Sequence, residues 1–156
     1  MATVNSTTYA AQITDPPTVS DDFRKGGVMC IPFTHTQDGL GLSGEIVNLV
    51  KLPAGRIRVL ASSSIIFNSD FGSTSDTIDI GWQAYTDEGT TVAADANGLH
   101  DGQAATSAGS FVPANQTTDG TKLFESDTGV ILRATMPDAD IPDAATLKGY
   151  FLIVQG

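Results

Sequence analysis

The stretch Ile78-Asp79-Ile80-Gly81-Trp82-Gln83-Ala84-Tyr85 constrains what this chain can fold into more than any other. Successive side chains of a strand point to opposite faces, so this spacing puts Ile78, Ile80, Trp82 and Ala84 on one face and Asp79 and Gln83 on the other. One apolar and one wet face is the pattern of a sheet packed on one side only. The period recurs in Arg56-Ile57-Arg58-Val59-Leu60, where both arginines project from the polar face, within reach of Asp79 across a sheet or of a partner's carboxylates.

Strand-like runs cover 27–33, 45–52, 56–67, 76–86, 108–112, 121–125, 129–136 and 146–155, mostly bounded by Gly, Pro, Asp or Asn, which predicts seven or eight strands. Pro53-Ala54-Gly55 and Asp87-Glu88-Gly89 fit tight turns, because Gly supplies positive φ and Pro pre-sets its own. A chain of 156 residues, 40% hydrophobic and only 17% charged, suits one domain with one core. The expected fold is all-β: an antiparallel, jelly-roll-like β-sandwich over 26–156 behind an extended N-terminal arm over 1–25. The arm is polar, and Asp15-Pro16-Pro17-Thr18 biases it to extended or polyproline conformation. The interval 94–107, rich in Gly and Asp, reads as a long exposed loop. Ile65-Ile66-Phe67 and Tyr150-Phe151-Leu152-Ile153-Val154 put apolar groups on both faces, so a second layer or a neighbouring subunit must cover them.

Eighteen acidic against eight basic residues give a net charge of -10, which repels phosphate backbones and excludes nucleic acid as a partner. No window reaches the roughly 18 apolar residues of a membrane helix, and the start MATVNSTTYA lacks a secretion signal, so no membrane partner and synthesis in the cytoplasm are expected. Cys30 is the only cysteine, which removes intrachain disulfides, and within Val28-Met29-Cys30-Ile31 it reads as a small buried hydrophobe.

Motifs that carry chemistry fail in turn. Gly39-Leu40-Gly41-Leu42-Ser43-Gly44 spells G-x-G-x-x-G, but the pyrophosphate chemistry needs a following helix, and Glu45-Ile46-Val47-Asn48-Leu49-Val50 is strand-like. Asp95, Asn97 and Asp101 lack the Gly and Glu of an EF-hand, since those positions hold His100 and Thr106. Asp138, Asp140 and Asp143 form a second acidic cluster of the same kind. His35 and His100 have no second ligand at metal spacing. No catalytic, cofactor-binding or metal-binding residues are therefore assigned, and the chain is expected not to be an enzyme.

Gly27-Val28-Met29-Cys30-Ile31-Pro32-Phe33, then Glu45 to Val59, then Asp79-Ile80-Gly81-Trp82 and Leu147-Lys148-Gly149-Tyr150, resemble small head-associated structural proteins of tailed bacteriophages and prophages, and among these the capsid decoration, or cement, proteins. The resemblance implies a virion protein on the capsid exterior, trimeric, bound to the major capsid protein lattice through terminal arms. Tyr9, Pro16, Pro17 and Phe23 are the arm residues expected to make that contact. The alternative is a head-fibre, tail or adhesion protein binding host glycans, with Trp82, Tyr85 and the 94–107 segment as platform. A third reading is a hydrolase using an acidic pair such as Asp76 and Asp79.

Overall fold

A computed structural model describes residues 3–13, 27–72, 76–115, 120–138 and 140–156. In chain order the strands are β1 (Thr3–Asn5), β2 (Val28–Thr36), β3 (Glu45–Leu52), β4 (Gly55–Val59), β5 (Ile65–Asn68), β6 (Thr77–Trp82), β7 (Tyr85–Asp87), β8 (Thr90–Val92), β9 (Asp95–Ala104), β10 (Gly109–Phe111), β11 (Lys122–Ser126), β12 (Val130–Met136) and β13 (Thr146–Gln155). A short helix α1 (Thr7–Gln12) follows β1, and no helix among the described residues is long and apolar enough to cross a membrane.

Two sheets form the sandwich. The first runs β1-β3-β12-β6-β9, antiparallel except that β1 lies parallel to β3. The second is organised by β13, which pairs with β2 from Thr146↔Thr36 to Val154↔Val28 on one side and with β5 and β4 on the other. β10 extends β5, and β11 extends β4.

Alternation decides what faces inward. Ile78, Ile80 and Trp82 are buried as their spacing requires, and Ile57 and Val59 are buried between the outward Arg56 and Arg58. Within the second sheet Phe33 stacks on Phe151 at 5.4 Å, and the two inner faces meet where Trp82 lies edge-on to Phe124 at 5.3 Å. Each fully buried large apolar side chain contributes about 1.5–3 kcal/mol relative to exposure, so this layer is the main source of stability.

Several expectations are corrected. The run 56–67 is two strands on the same neighbour, interrupted by a 3-10 turn at Ala61–Ser63. Ser64 closes the gap: its hydroxyl donates to Leu60 O at 2.9 Å and accepts the Leu152 N–H at 3.0 Å, so the backbone groups left by the break are paired. The run 76–86 also divides, because the Gln83 N–H turns to Ile131 O and the chain leaves the sheet; Ala84 is exposed, not in the core. β7 and β8 then form their own hairpin through Asp87-Glu88-Gly89, with φ of 47° and 76° at Glu88 and Gly89, the mirror-type turn that matches strand twist. The segment 94–107, expected as a loop, is mostly β9: β6 offers an open ladder, and glycines let the bulged β9 lie against it, so pairing overrides poor strand propensity. Cys30 is exposed, because β2 turns Ile31, Phe33 and His35 inward and Val28, Cys30, Pro32 and Thr34 outward.

Residues 3–13 of the N-terminal arm are built onto the sandwich. β1 pairs with β3, and fully buried Ser6 caps α1 by accepting the Tyr9 N–H at 3.1 Å while its hydroxyl donates to Leu49 O. α1 bridges to the second sheet, since Thr7 and Thr8 donate to the carbonyls of Thr34 and Pro32.

Candidate functional site

The polar residues singled out for chemistry are separated or used structurally. Asp76 is buried on the side of Ile78, whereas Asp79 projects from the opposite face and accepts the Gly102 N–H at 2.8 Å, so the two do not form a pair. Burial raises the Asp79 pKa, Asp101 and Asp138 add to this, and the Gly102 N–H opposes it. Asp79 is remote from Arg56 as well: it lies in the first sheet, while Arg56 in the second pairs with Glu125 at 3.2 Å. His35 is buried against Gln37, with Nε2 3.0 Å from Oε1. His100 tilts over Phe111 at 4.8 Å and accepts the Ala114 N–H on Nδ1, and burial lowers its pKa. Asp95 accepts the Asn97 N–H in a local turn. No group of three metal-ligating side chains occurs among the described residues.

Trp82 does not offer a stacking platform. It is 7% exposed, the Lys122 ammonium lies 4.7 Å from its ring centre, and Gly98 is so close that any Cβ there would meet the ring at 2.2 Å. A sugar needs an open aromatic face, and this one is covered.

Two exposed surfaces remain; the doubly apolar runs Ile65–Phe67 and Tyr150–Val154 pointed to the second, and nothing in the sequence reading pointed to the first. The first is the tip formed by the β2–β3 loop. It is zipped to the segment before β13, where Gly41 N–H bonds Ile141 O, Gly39 N–H bonds Asp143 Oδ1 and Ser43 N–H bonds Asp140 Oδ1, while the Leu42 N–H bonds Glu45 Oε2 at the start of β3. Asp140 and Asp143 thus act as backbone caps, Asp138 accepts from the Thr77 hydroxyl instead, and Gly41 leaves the room that the Glu45 carboxylate occupies. This frame holds Leu40 and Leu42 out in solvent at 68% and 58% exposure, with the exposed carboxylates of Asp38, Asp140 and Asp143 around them. The available signal was two leucines inside a glycine-rich turn where no strand or helix period gives them a core.

The second is the outer face of the β13 sheet. Register puts Val28, Val154, Arg58 and Leu123 in one row, Cys30 beside Leu152, and Pro32, Tyr150 and Ile65 in another row. Val28 is 61% exposed, Phe67 39% and Val112, just past β10, 41%. Among the described residues its charges are Arg56, Arg58 and Lys148 against the carboxylate of Glu125. The apolar run Tyr150–Val154 predicted cover on both faces; among the described residues one face packs in the core and the other stands half-exposed. Of the expected arm contacts, Tyr9 sits half-buried on α1, and Pro16, Pro17 and Phe23 lie outside the described residues.

No family model and no curated protein sequence matches the chain. Among solved structures, a chain of the capsid of Ralstonia phage GP4 superposes with a TM-score of 0.70 at 17% identity, covering 99% of this chain and 98% of that one. A chain of the capsid asymmetric unit of cyanophage Pam1 gives 0.52, also at 17% identity, over 90% of this chain and 99% of that one. What this chain shares with them is the fold.

Proposed function

We propose that the chain is a structural protein of a tailed-phage virion, and specifically a capsid decoration protein that binds the major capsid protein lattice from outside as a trimer and stabilises the shell. One observation carries the reading: the fold matches a phage capsid chain end to end, so the likeness is to the whole of a small capsid chain and not to a domain within a larger one. The net charge of -10 suits an outer surface away from packaged DNA. Many copies on a lattice turn weak single contacts into a firm shell by avidity. The lattice contact is assigned to the arm residues Tyr9, Pro16, Pro17 and Phe23.

The test is addition of the purified protein to expanded capsids lacking it, followed by co-sedimentation, cryo-electron microscopy of the particles and their heat release of DNA. The reading expects added density at repeated outer lattice positions and a higher release temperature; absence of binding, or density only at a tail or vertex, refutes it. Because β1 and α1 are part of the sandwich, the arm is tested by Pro16→Ala, Pro17→Ala and Phe23→Ala together, not by deleting residues 1–25. Undiminished binding by the triple variant removes Pro16, Pro17 and Phe23 from the contact.

A further inference from the structure

Five of the six large apolar side chains that stand in solvent among the described residues fall in the two surfaces above: Leu40 and Leu42 at the tip, and Val28, Phe67 and Val112 on the β13 sheet. The face is roughly four strands wide and seven residues long, on the order of 450 Å² in outline, with these apolar side chains set among Arg56, Arg58, Lys148 and Glu125. The surfaces also carry opposite charge. The tip is rimmed by Asp38, Asp140 and Asp143, and the face by Arg58 and Lys148 together with Arg56, which is paired with Glu125.

We propose that these surfaces bind one another in successive copies of the chain, with the tip of one subunit seated on the β13-sheet face of the next. Apolar meets apolar and acidic rim meets basic rim, which steers encounter and fixes orientation. Two-fold pairing of the face with itself brings two cation-bordered surfaces together and lacks the acidic rim that the tip supplies. The tip ends the strands, while the face looks sideways from them; a head-to-tail contact between such surfaces gives a ring where its rotation closes and an open filament where it does not, and the capsid role proposed above calls for the closed form. About 450 Å² is below the roughly 800 Å² per partner of a stable stand-alone pair. A ring holds each subunit through two such contacts.

This deepens the oligomeric part of the proposed function by naming the interface, and it is tested without any capsid. Cys30, the sole cysteine, is exposed on the face beside Leu152 and reports its cover. Light-scattering mass and the rate of Cys30 labelling by a maleimide are measured for the native protein, for Leu40→Ser with Leu42→Ser, and for Arg58→Glu, with circular dichroism to check folding. The native protein is expected to run as a small ring with Cys30 protected. The double leucine variant is expected at the single-chain mass of 16.2 kDa with Cys30 fully reactive, and Arg58→Glu, on the opposite surface, is expected to dissociate at higher protein concentration than the native ring. A native protein that stays at 16.2 kDa overturns the inference, as does a leucine variant that keeps both ring mass and protection. Cys30 protected only on capsids assigns the face to the shell, overturning this inference and leaving the decoration reading intact. A ring that binds no capsid does the reverse.

Discussion

Gly98→Ala is a one-methyl change with a calculable cost. The added Cβ would lie 2.2 Å from both Cη2 and Cζ3 of Trp82 and 2.7 Å from a carboxylate oxygen of Asp95, whereas ordinary contact begins near 3.4 Å. The ring or β9 must therefore move by roughly 1.2 Å. Neither is free to do so. The indole N–H donates to Ala93 O at 3.2 Å, Phe124 meets its edge at 5.3 Å, and Lys122 sits over the ring. β9 is tied to β6 at Ile80↔His100 and Trp82↔Asp95, on both sides of Gly98.

Overpacking of this kind costs about 1–3 kcal/mol, and about 2 kcal/mol lowers the melting temperature of a chain this size by about 4–8 °C. Trp82 is the only tryptophan, so its emission reports the same event as a circular dichroism melt. Trp82→Phe removes the part of the indole that the methyl strikes, so the two substitutions should couple by at least about 1 kcal/mol in a double-mutant cycle. Unchanged melting and emission in Gly98→Ala, or strictly additive effects in the cycle, would falsify the packing argument.

Ser6→Ala removes both the cap of α1 and the bond to Leu49 O, and should cost about 1–2 kcal/mol in urea titration, with faster hydrogen exchange confined to β1, α1 and β3. Ser64→Ala leaves the Leu152 N–H and Leu60 O without their bridge, and a loss of about 1–3 kcal/mol is expected, read as a lower denaturation midpoint. His100 has a folded pKa below its ordinary 6.5, so the folded state favours the neutral ring that accepts the Ala114 N–H; this contribution is present above 6.5 and lost as pH falls through the lowered value. Thermal melts from pH 8 to pH 5 should show a decline that His100→Asn reduces. Asp79 has the opposite sign, because its raised pKa makes the ionised form a cost above 3.8; Asp79→Asn should raise the melting temperature slightly at pH 7, by less than about 1 kcal/mol in stability, and the gain should vanish in acid.

The strands were legible where a local period exists. Ile78-Asp79-Ile80 and Arg56-Ile57-Arg58 state both the strand and its inward face, and the structure buries the residues that the period selects. What failed were features set by the neighbouring strand. Gly98 and Gly102 weaken any strand considered alone, yet β9 forms because β6 presents an unpaired ladder and Gly98 is the residue that fits against Trp82. The break at Ala61–Ser63 is likewise invisible locally, because what makes it tolerable is Ser64 bonding to Leu152, 88 residues away. Cys30 was misplaced for a simpler reason: in a run of four apolar residues nothing local says which parity faces the core, and the pairing of β2 with β13 decides it.

The candidate site follows the same logic with the sign reversed. A catalytic constellation advertises itself by residue type, whereas a contact surface is defined by apolar residues that the fold leaves uncovered, and no sequence window records what is uncovered. Leu152 and Val154 are indistinguishable in sequence from Phe151 and Ile153, yet register places the first pair with Cys30 and Val28 outside and buries the second pair. Charge sharpens the difference, because the chain spends few basic residues and Arg58 and Lys148, with the paired Arg56, rim this one face. On a protein of net charge -10, an apolar patch bordered by cations is the place where a further copy, itself acidic, gains both desolvation and attraction, and the Leu40–Leu42 tip brings both.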